Sequence, residues 1–423
     1  MEMKYIAICA DGMADWPLDD YDGLTPMEIA VKPNMDDLAA NGVIGSVQTI
    51  PEGMSPGSDT ANMAVLGYDP RQYYTGRSPF EAVSMGIAMN DVDLSFRCNL
   101  VTLSSEEDIS YEQRVMIDHG ADDISSEEAS ILIAAVEKAF GSGDVNFYSG
   151  VSYRNLMLWQ NCQDKFSLTP PHDILEKMIL KYLPDKKSSS SNKILDYMQK
   201  SYDLLSKHPI NLQRVKNKLH PANSIWLWGE GRKPDLMSFE KKYAIAGSVI
   251  SAVDLIKGIG LCAGLMSVDV PGATGTIDTN YQGKVAAAMT ALCTGSDFVY
   301  IHIEAPDECG HKGDTRSKIR AIELIDSEII GPMRQLLAEK SIEYRMMVLP
   351  DHPTPLKIRT HVAEPVPFCI YDSTKQPLLK HKSGEKFSEK NAMVAGPFLP
   401  DGHKLMDIFL EREGCCGQHE EKE

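Results

Sequence analysis

No run of apolar residues in this 423-residue sequence reaches the roughly 18 positions that a helix needs to cross a bilayer. The opening stretch MEMKYIAICADGMAD meets an acidic residue before any apolar segment of signal length, so the expected location is cytoplasmic. Basic charge is also short. Forty-two Lys and Arg face sixty Asp and Glu, a formal net charge of −18. A field of that sign repels phosphodiester backbones and anionic lipid surfaces, so neither nucleic acid nor a membrane is an expected partner. It also repels small anions, and any phosphate site must be rescued locally by metals, arginines or helix N-termini. No G-x-x-x-x-G-K-[ST] motif occurs, which leaves a P-loop nucleotide site without support. Nor is there a fixed-period repeat. Nine cysteines, an odd number, include Cys9, Cys98, Cys262, Cys293 and Cys369 among apolar neighbours, where reduced core thiols are expected rather than a disulfide framework. Cys415 and Cys416 lie in a polar tail, for which disorder is the expectation.

What is present is a soluble-type composition, 43% hydrophobic and 24% charged, which excludes wholesale disorder and can fill a large core. The length suggests two or three domains. Lys4–Ala10 reads as a buried strand ending at Asp11-Gly12, followed by a helix over 32–41 closed by Gly42. Phe298–Ile303 and Tyr344–Leu349 have the same strand character, and each runs straight into acidic and imidazole residues. Between them, 314–340 carries Ile319, Ile322, Ile325, Ile329, Met333 and Leu336 at helical spacing, as a crossover between parallel strands requires.

The middle of the chain differs in texture. Ser125 and Glu128 predict a capping box before a helix that buries Ile131, Leu132, Ala135, Val136 and Phe140. The polar run 186–191 predicts a solvated loop, Ser224–Trp228 a strand, and 246–253 a return to buried-strand composition. The expected organisation is a discontinuous α/β domain of 1–91 and 241–423, interrupted by an α+β insert at 92–240.

Asp11, Asp307, His311, Asp351, His352 and His361 are spread across the chain, yet four of them stand at the carboxyl ends of these strands or within a few residues of them, the edge where open parallel sheets place their sites. A single histidine there is commonly a hydrogen-bonded structural residue, and a single aspartate a turn-former. Several such residues at several strand ends point instead to a binuclear metal site. Mixed carboxylate and imidazole donors suit Mn²⁺ or Zn²⁺ better than Mg²⁺. Ser58, in Pro56-Gly57-Ser58-Asp59, is expected at a helix N-terminus. Free backbone N–H groups would favour a phosphate there, and a nearby divalent ion would make the hydroxyl a nucleophile. Gly258-Ile-Gly260-Leu-Cys-Ala263 matches a loose dinucleotide pattern, but residues 254–257 separate the glycines from the strand that should feed them.

The stretches ADGMAD, PEGMSPGSDTANMAVLGYDP, YYTGRSPFEA, FRCNLVTL, PGATGTIDTNYQGK, HIEAPDECGHKGD, VLPDHPTP and RTHVAEPVPF make the sequence resemble the cofactor-independent phosphoglycerate mutases of the archaeal-type branch, within the alkaline phosphatase superfamily. The resemblance covers nearly the whole chain. It implies an alkaline-phosphatase-like α/β core with a largely parallel sheet and helices on both faces, plus an inserted lid. It implies that Ser58 is transiently phosphorylated, that Asp11, Asp351 and His352 bind the metal that also contacts Ser58, and that Asp307, His311 and His361 bind a second. The implied ions are two divalent metals, Mn²⁺ first, and the implied partner is a small phosphorylated metabolite exchanged between 3-phosphoglycerate and 2-phosphoglycerate. Arg77, Arg154, Arg232, Lys233 and Lys284, in motif-like settings, are the implied substrate-binding cations. The same resemblance extends to proposed homoserine kinases of that branch, and a phosphomonoesterase would share the centre, so the acceptor stays open at this point.

Overall fold

A computed structural model of the chain describes residues 3–185, 188–375 and 386–411. The chain divides into two compact units, Met1–Tyr74 with Leu236–Glu423, and Thr75–Asp235.

The discontinuous unit is built on an eight-stranded sheet in the order Phe398–Leu399, Val43–Val47, Val366–Asp372, Tyr344–Leu349, Lys4–Ala10, Phe298–Ile303, Gly247–Ile250, Met266–Ser267. The five strands from Tyr344–Leu349 to Met266–Ser267 run parallel, whereas Val366–Asp372 is antiparallel to both of its neighbours. The central register pairs Cys9 with His302 on one side and with Leu349 on the other, so three strands end level. Asp11, the segment that leads to Asp307, and Asp351 therefore leave the sheet at one edge. Alternation sends Ile6, Ile8, Val299, Ile301 and Val348 into one apolar cluster with Val285, Ala288, Leu292, Met333 and Leu337 of the covering helices. The positions between them, Cys9, Tyr300 and His302, alternate to the opposite face and meet polar partners there.

The crossover predicted over 314–340 is interrupted. Helix Thr315–Ile325 passes through a π-helical turn, Asp326–Ile330, into helix Gly331–Glu339. The turn presents the buried Asp326 carboxylate to the start of helix Pro33–Asn41, where it accepts the Met35 N–H at 2.7 Å and the Asn34 N–H at 3.2 Å. Apolar spacing cannot reveal that insertion, because the buried stripe continues on both sides of it.

The second unit carries a five-stranded sheet in which every pairing is antiparallel. Leu94–Leu103 pairs with Arg154–Trp159, Ser224–Gly231 and Met116–Asp118, and Val145–Val151 lies beyond Arg154–Trp159. It begins earlier than the residue 92 expected, because helix Ser78–Ser84 is assigned to this unit and buries Phe80 and Ala82. Three local readings need correction here. Ser125 Oγ does accept the Glu128 N–H at 3.2 Å, but the Glu128 carboxylate pairs with Arg214 instead of closing the capping box. Ile131 is exposed and Ile133 fills the core in its place, while Ala135 and Phe140 are only half-buried. Ser188 caps helix Ser189–Leu205, so the serine run starts a helix rather than continuing a loop; residues 186 and 187 lie outside the described residues.

No disulfide joins the seven described cysteines, but Cys293 is exposed and Cys262 half-buried, unlike the core thiols expected; Cys415 and Cys416 lie outside the described residues. Gly258 and Gly260 sit inside helix Asp254–Cys262, where a Cβ on Gly260 would come within 2.6 Å of Val249 Cγ1. Gly260 serves close helix packing, and neither glycine forms a phosphate-cradling turn. No helix among the described residues is long and apolar enough to cross a membrane.

One buried carboxyl makes the unit's stability depend on pH. Glu389 accepts the Asp15 N–H at 3.1 Å and the Thr25 hydroxyl at 2.7 Å, and burial pushes its carboxyl up to about 7. The folded state thus holds this proton more tightly than the unfolded chain. The associated stability is complete below about pH 4 and is lost as the pH rises through 7. Glu389→Gln should remove that loss, gaining about 3 kcal/mol over the parent above about pH 8 and nothing near pH 4. Urea midpoints measured across that range check this, and parallel pH profiles for the two proteins would contradict it.

Candidate metal and phosphoryl-transfer centre

Helix Ser58–Val65 starts immediately after Gly57, so Ser58 occupies the first helical position and Gly57 the cap. Ser58 Oγ lies 3.1 Å from His352 Nε2. The same imidazole nitrogen is 3.6 Å from Asp11 Oδ1 and 3.4 Å from Asp351 Oδ2. Asp11, Asp351 and His352 are all buried.

Asp351 is fixed from three sides. Its Oδ1 accepts the N–H groups of Gly12 at 3.2 Å and His352 at 2.9 Å, and its Oδ2 accepts from Asn62 Nδ2 at 2.8 Å. Asn62 also donates to the Ser58 carbonyl at 2.8 Å and accepts the Tyr300 hydroxyl at 2.5 Å, tying the serine's helix to that carboxylate. Asp11 Oδ2 meets His302 Nε2 at 3.1 Å, and His302 Nδ1 meets Ser251 Oγ at 3.2 Å. Gly12 is required where it stands. It has φ +62°, and a Cβ there would fall 2.6 Å from Thr354 Oγ1 and 2.7 Å from Asp307 Cα.

Asp307 and His311 lie one turn apart on helix Ala305–Lys312. Asp307 Oδ2 is 3.2 Å from His311 Nε2, and its Oδ1 is 3.3 Å from His361 Nε2. The two Nε2 atoms are 2.9 Å apart. His311 Nδ1 is 3.0 Å from the Arg359 carbonyl, which can only accept, so Nδ1 carries a proton and Nε2 is the nitrogen left for a metal once it is deprotonated.

The charges reinforce the geometry. Burial, then the neighbouring Asp351 and Asp307 carboxylates, push the Asp11 carboxyl well above its ordinary range. Burial would raise Asp307 too, but hydrogen bonds from His311 and His361 outweigh it and hold that carboxyl well below the usual range. The bond to Asp307 raises His311 to about 9, whereas burial depresses His352. Three buried acids and three imidazoles facing one another fit divalent cations better than they fit each other, since metal ligation requires the deprotonated form of each. One atom makes the point: Asp11 Oδ1 is buried without a hydrogen-bond partner, beside His352 Nε2. The donor atoms of Asp307, His311 and His361 lie mutually within 4.8 Å, and so do those of Asp11, Asp307 and His352. Asp307 is common to both groups, so the described residues bring donors suited to metal together around it.

A family model described as 2,3-bisphosphoglycerate-independent phosphoglycerate mutase matches residues 39–211. A protein of that name from Methanothrix thermoacetophila is 46% identical over 409 residues, covering 96% of this chain and 100% of its own length. The chain belongs to the 2,3-bisphosphoglycerate-independent phosphoglycerate mutase family. Within it, a probable mutase of the same name from Geobacter sulfurreducens is 45% identical, with 97% of this chain and 100% of that protein covered. Among solved structures, the cofactor-independent phosphoglycerate mutase from Thermoplasma acidophilum superposes with a TM-score of 0.64 at 25% identity, over 98% of this chain and 100% of that one. The PH0037 protein from Pyrococcus horikoshii gives 0.78 at 28% identity, over 99% and 100%. The mutase family is thus matched over nearly the whole chain in both sequence and architecture.

The basic residues singled out from the sequence are scattered in role. Lys284 is buried, donates to the His302 carbonyl at 2.8 Å, and is lowered by burial to about 8. Arg232 spends its two terminal nitrogens on the Val92 and Cys162 carbonyls. Arg77 pairs with Glu81 at 3.1 Å, while Arg154 and Lys233 are exposed. Sequence reasoning missed Arg97, which is buried, bonds Glu81 at 2.9 Å and lies 4.4 Å above the Trp228 ring. It also missed Asn62, His302 and Thr354. A histidine inside the apolar run FVYIHI and an asparagine one turn after Ser58 were the available signals.

Proposed function

We propose that the chain interconverts 3-phosphoglycerate and 2-phosphoglycerate in the cytoplasm, as a step of glycolysis, through a phosphoserine at Ser58. The centre would hold two divalent cations, Mn²⁺ first, with Zn²⁺ or Mg²⁺ as substitutes. Asp11, Asp351, His352 and Ser58 would serve one ion, and Asp307, His311 and His361 the other. The observation that carries this reading is the Ser58 hydroxyl, 3.1 Å from His352 Nε2 at the start of a helix and beside buried Asp11 and Asp351. The ions, when bound, supply the positive charge that lowers the hydroxyl's pKa and offsets the phosphoryl oxygens.

Ser58 Oγ forms a bond to phosphorus as the bond from phosphorus to the C3 oxygen breaks. The proton lost by Ser58 is balanced by the one gained on the departing oxygen, leaving phosphoserine and glycerate. The C2 hydroxyl then attacks the phosphoserine in the same sense, losing a proton as Ser58 regains one. No water is consumed, and water must be excluded, because hydrolysis of the phosphoserine would turn a mutase into a phosphatase. The backbone N–H groups at the start of helix Ser58–Val65 favour the phosphate on that oxygen.

Of the proposed substrate cations, Arg77, Arg154 and Lys233 suit the glycerate carboxylate, joined by Arg97. Arg232 and Lys284 would act by holding backbone in place. Arg154→Ala is expected to raise KM for 3-phosphoglycerate about tenfold with metal content unchanged, and an unchanged KM would remove Arg154 from the site.

The direct test supplies the purified protein with Mn²⁺ and 3-phosphoglycerate and follows the ³¹P resonances. The reading expects 2-phosphoglycerate without ATP and without release of inorganic phosphate. Stoichiometric phosphate release would make the protein a phosphomonoesterase. Inactivity on 3-phosphoglycerate combined with ATP-dependent phosphorylation of homoserine would make it a kinase.

A further inference from the structure

We infer that the Thr354 hydroxyl is a positioning group that couples the two halves of the centre, so that the two ions bind as a pair. Thr354 is fully buried, and its Oγ1 lies 2.5 Å from Asp307 Oδ1 and 3.3 Å from His352 Nδ1. Asp307 belongs with His311 and His361, and His352 belongs with Asp11, Asp351 and Ser58. One oxygen atom thus touches a ligand from each set.

A hydroxyl has a single proton to give, and here the direction is determined. The Thr354 hydroxyl donates it to Asp307 Oδ1 at 2.5 Å. The remaining lone pair of Oγ1 accepts Nδ1–H of His352. That places the ring's proton on Nδ1 and leaves Nε2 bare toward Ser58 Oγ, Asp11 and Asp351.

The threonine is itself clamped. Its N–H donates to the Ala14 carbonyl at 3.2 Å, and its carbonyl accepts the Lys318 ammonium at 2.8 Å. Lys318 is wholly buried and pairs with the equally buried Asp15 at 2.7 Å. The loop that follows Asp11 and the loop that carries Asp351 and His352 are thereby pinned to one lysine on helix Thr315–Ile325. The bare Cα of Gly12 leaves room for the hydroxyl. Ordering Asp307 around one ion orders Thr354, which orders the His352 ring for the other ion. Because such coupling is reciprocal, either ion favours its neighbour.

The inference rests on the two-ion reading, and calorimetry of Mn²⁺ binding to the metal-free full chain separates the two. The parent should bind two ions in one coupled step. Thr354→Val keeps the shape and removes the hydroxyl; it should bind Mn²⁺ about 10- to 100-fold more weakly and in two resolved steps. Thr354→Ser should restore the parent isotherm, which a purely packing role for the side chain would not achieve. If Thr354→Val does not fold, Thr354→Ala removes the same hydroxyl. A hydroxyl-free variant that binds two ions with parental affinity, or a serine variant as weak as the valine one, overturns the coupling role while leaving the two-ion centre intact. A parent that binds fewer than two ions overturns both.

Discussion

Replacing Ser58 with Ala is expected to lower turnover of 3-phosphoglycerate on the order of 10⁴- to 10⁶-fold, because the proposed mechanism carries the phosphoryl group between the two hydroxyls on Ser58 Oγ. The substitution removes one oxygen from the first helical position and leaves Asp11, Asp351 and His352 in place, so the variant should still fold and retain nearly all its metal. This separation of activity from metal content is the diagnostic feature. Turnover surviving in the alanine variant, with 3-phosphoglycerate still converted to 2-phosphoglycerate, would remove Ser58 from the mechanism. Loss of metal and activity together would show instead that the hydroxyl acts mainly as a ligand.

The second large effect follows from the buried carboxylates. Stripping divalent ions with a chelator should abolish turnover and destabilise the discontinuous unit. Without ions, the buried Asp11, Asp307 and Asp351 are left with only the imidazoles of His311, His352 and His361 beside them. If the ions are present at about 100 times their dissociation constant, their binding contributes roughly 2.7 kcal/mol per site, and the thermal midpoint should fall accordingly. Addition of Mn²⁺ should restore both midpoint and turnover. Removal and return of metal with no movement of the midpoint would contradict a centre made of these residues.

The parts of this centre that can be read from sequence are those carried by continuous apolar runs. Lys4–Ala10, Phe298–Ile303 and Tyr344–Leu349 were expected as buried strands and are strands with those bounds. A strand covered on both faces needs apolar residues at every position, and the first acid or glycine marks where it leaves the sheet. Asp11 directly follows one such end, Asp351 follows another after Pro350, and Asp307 follows the third within a turn of helix. Their convergence depends only on the register of three neighbouring strands.

What lies behind the ligands is harder to read, because its meaning depends on which face of a strand or helix turns toward the centre. His302 alternates with Ile301 and Ile303, and only the register opposite Cys9 brings it to Asp11. Thr354 follows Pro353 in an irregular segment with no period to place its hydroxyl. The second unit misled for a related reason. Glu128 stands three residues after Ser125, as a capping box requires, but Arg214 from a distant part of that unit attracts its carboxylate more strongly than the backbone N–H does. Likewise, the serines of 188–191 read as solvated polar chain when viewed alone. A cap at Ser188 and the buried faces of Ile194, Leu195 and Met198 turn them into the first turn of a helix.

The account stands most directly on where the phosphoryl group resides during turnover. Protein mixed with Mn²⁺ and 3-phosphoglycerate, quenched in acid while turning over and mapped by peptide mass spectrometry, should carry one phosphoryl group on Ser58, in a fraction that disappears when the ions are chelated first. A peptide spanning Ser58 that stays unmodified while 2-phosphoglycerate accumulates, or phosphate found on another residue, would contradict it.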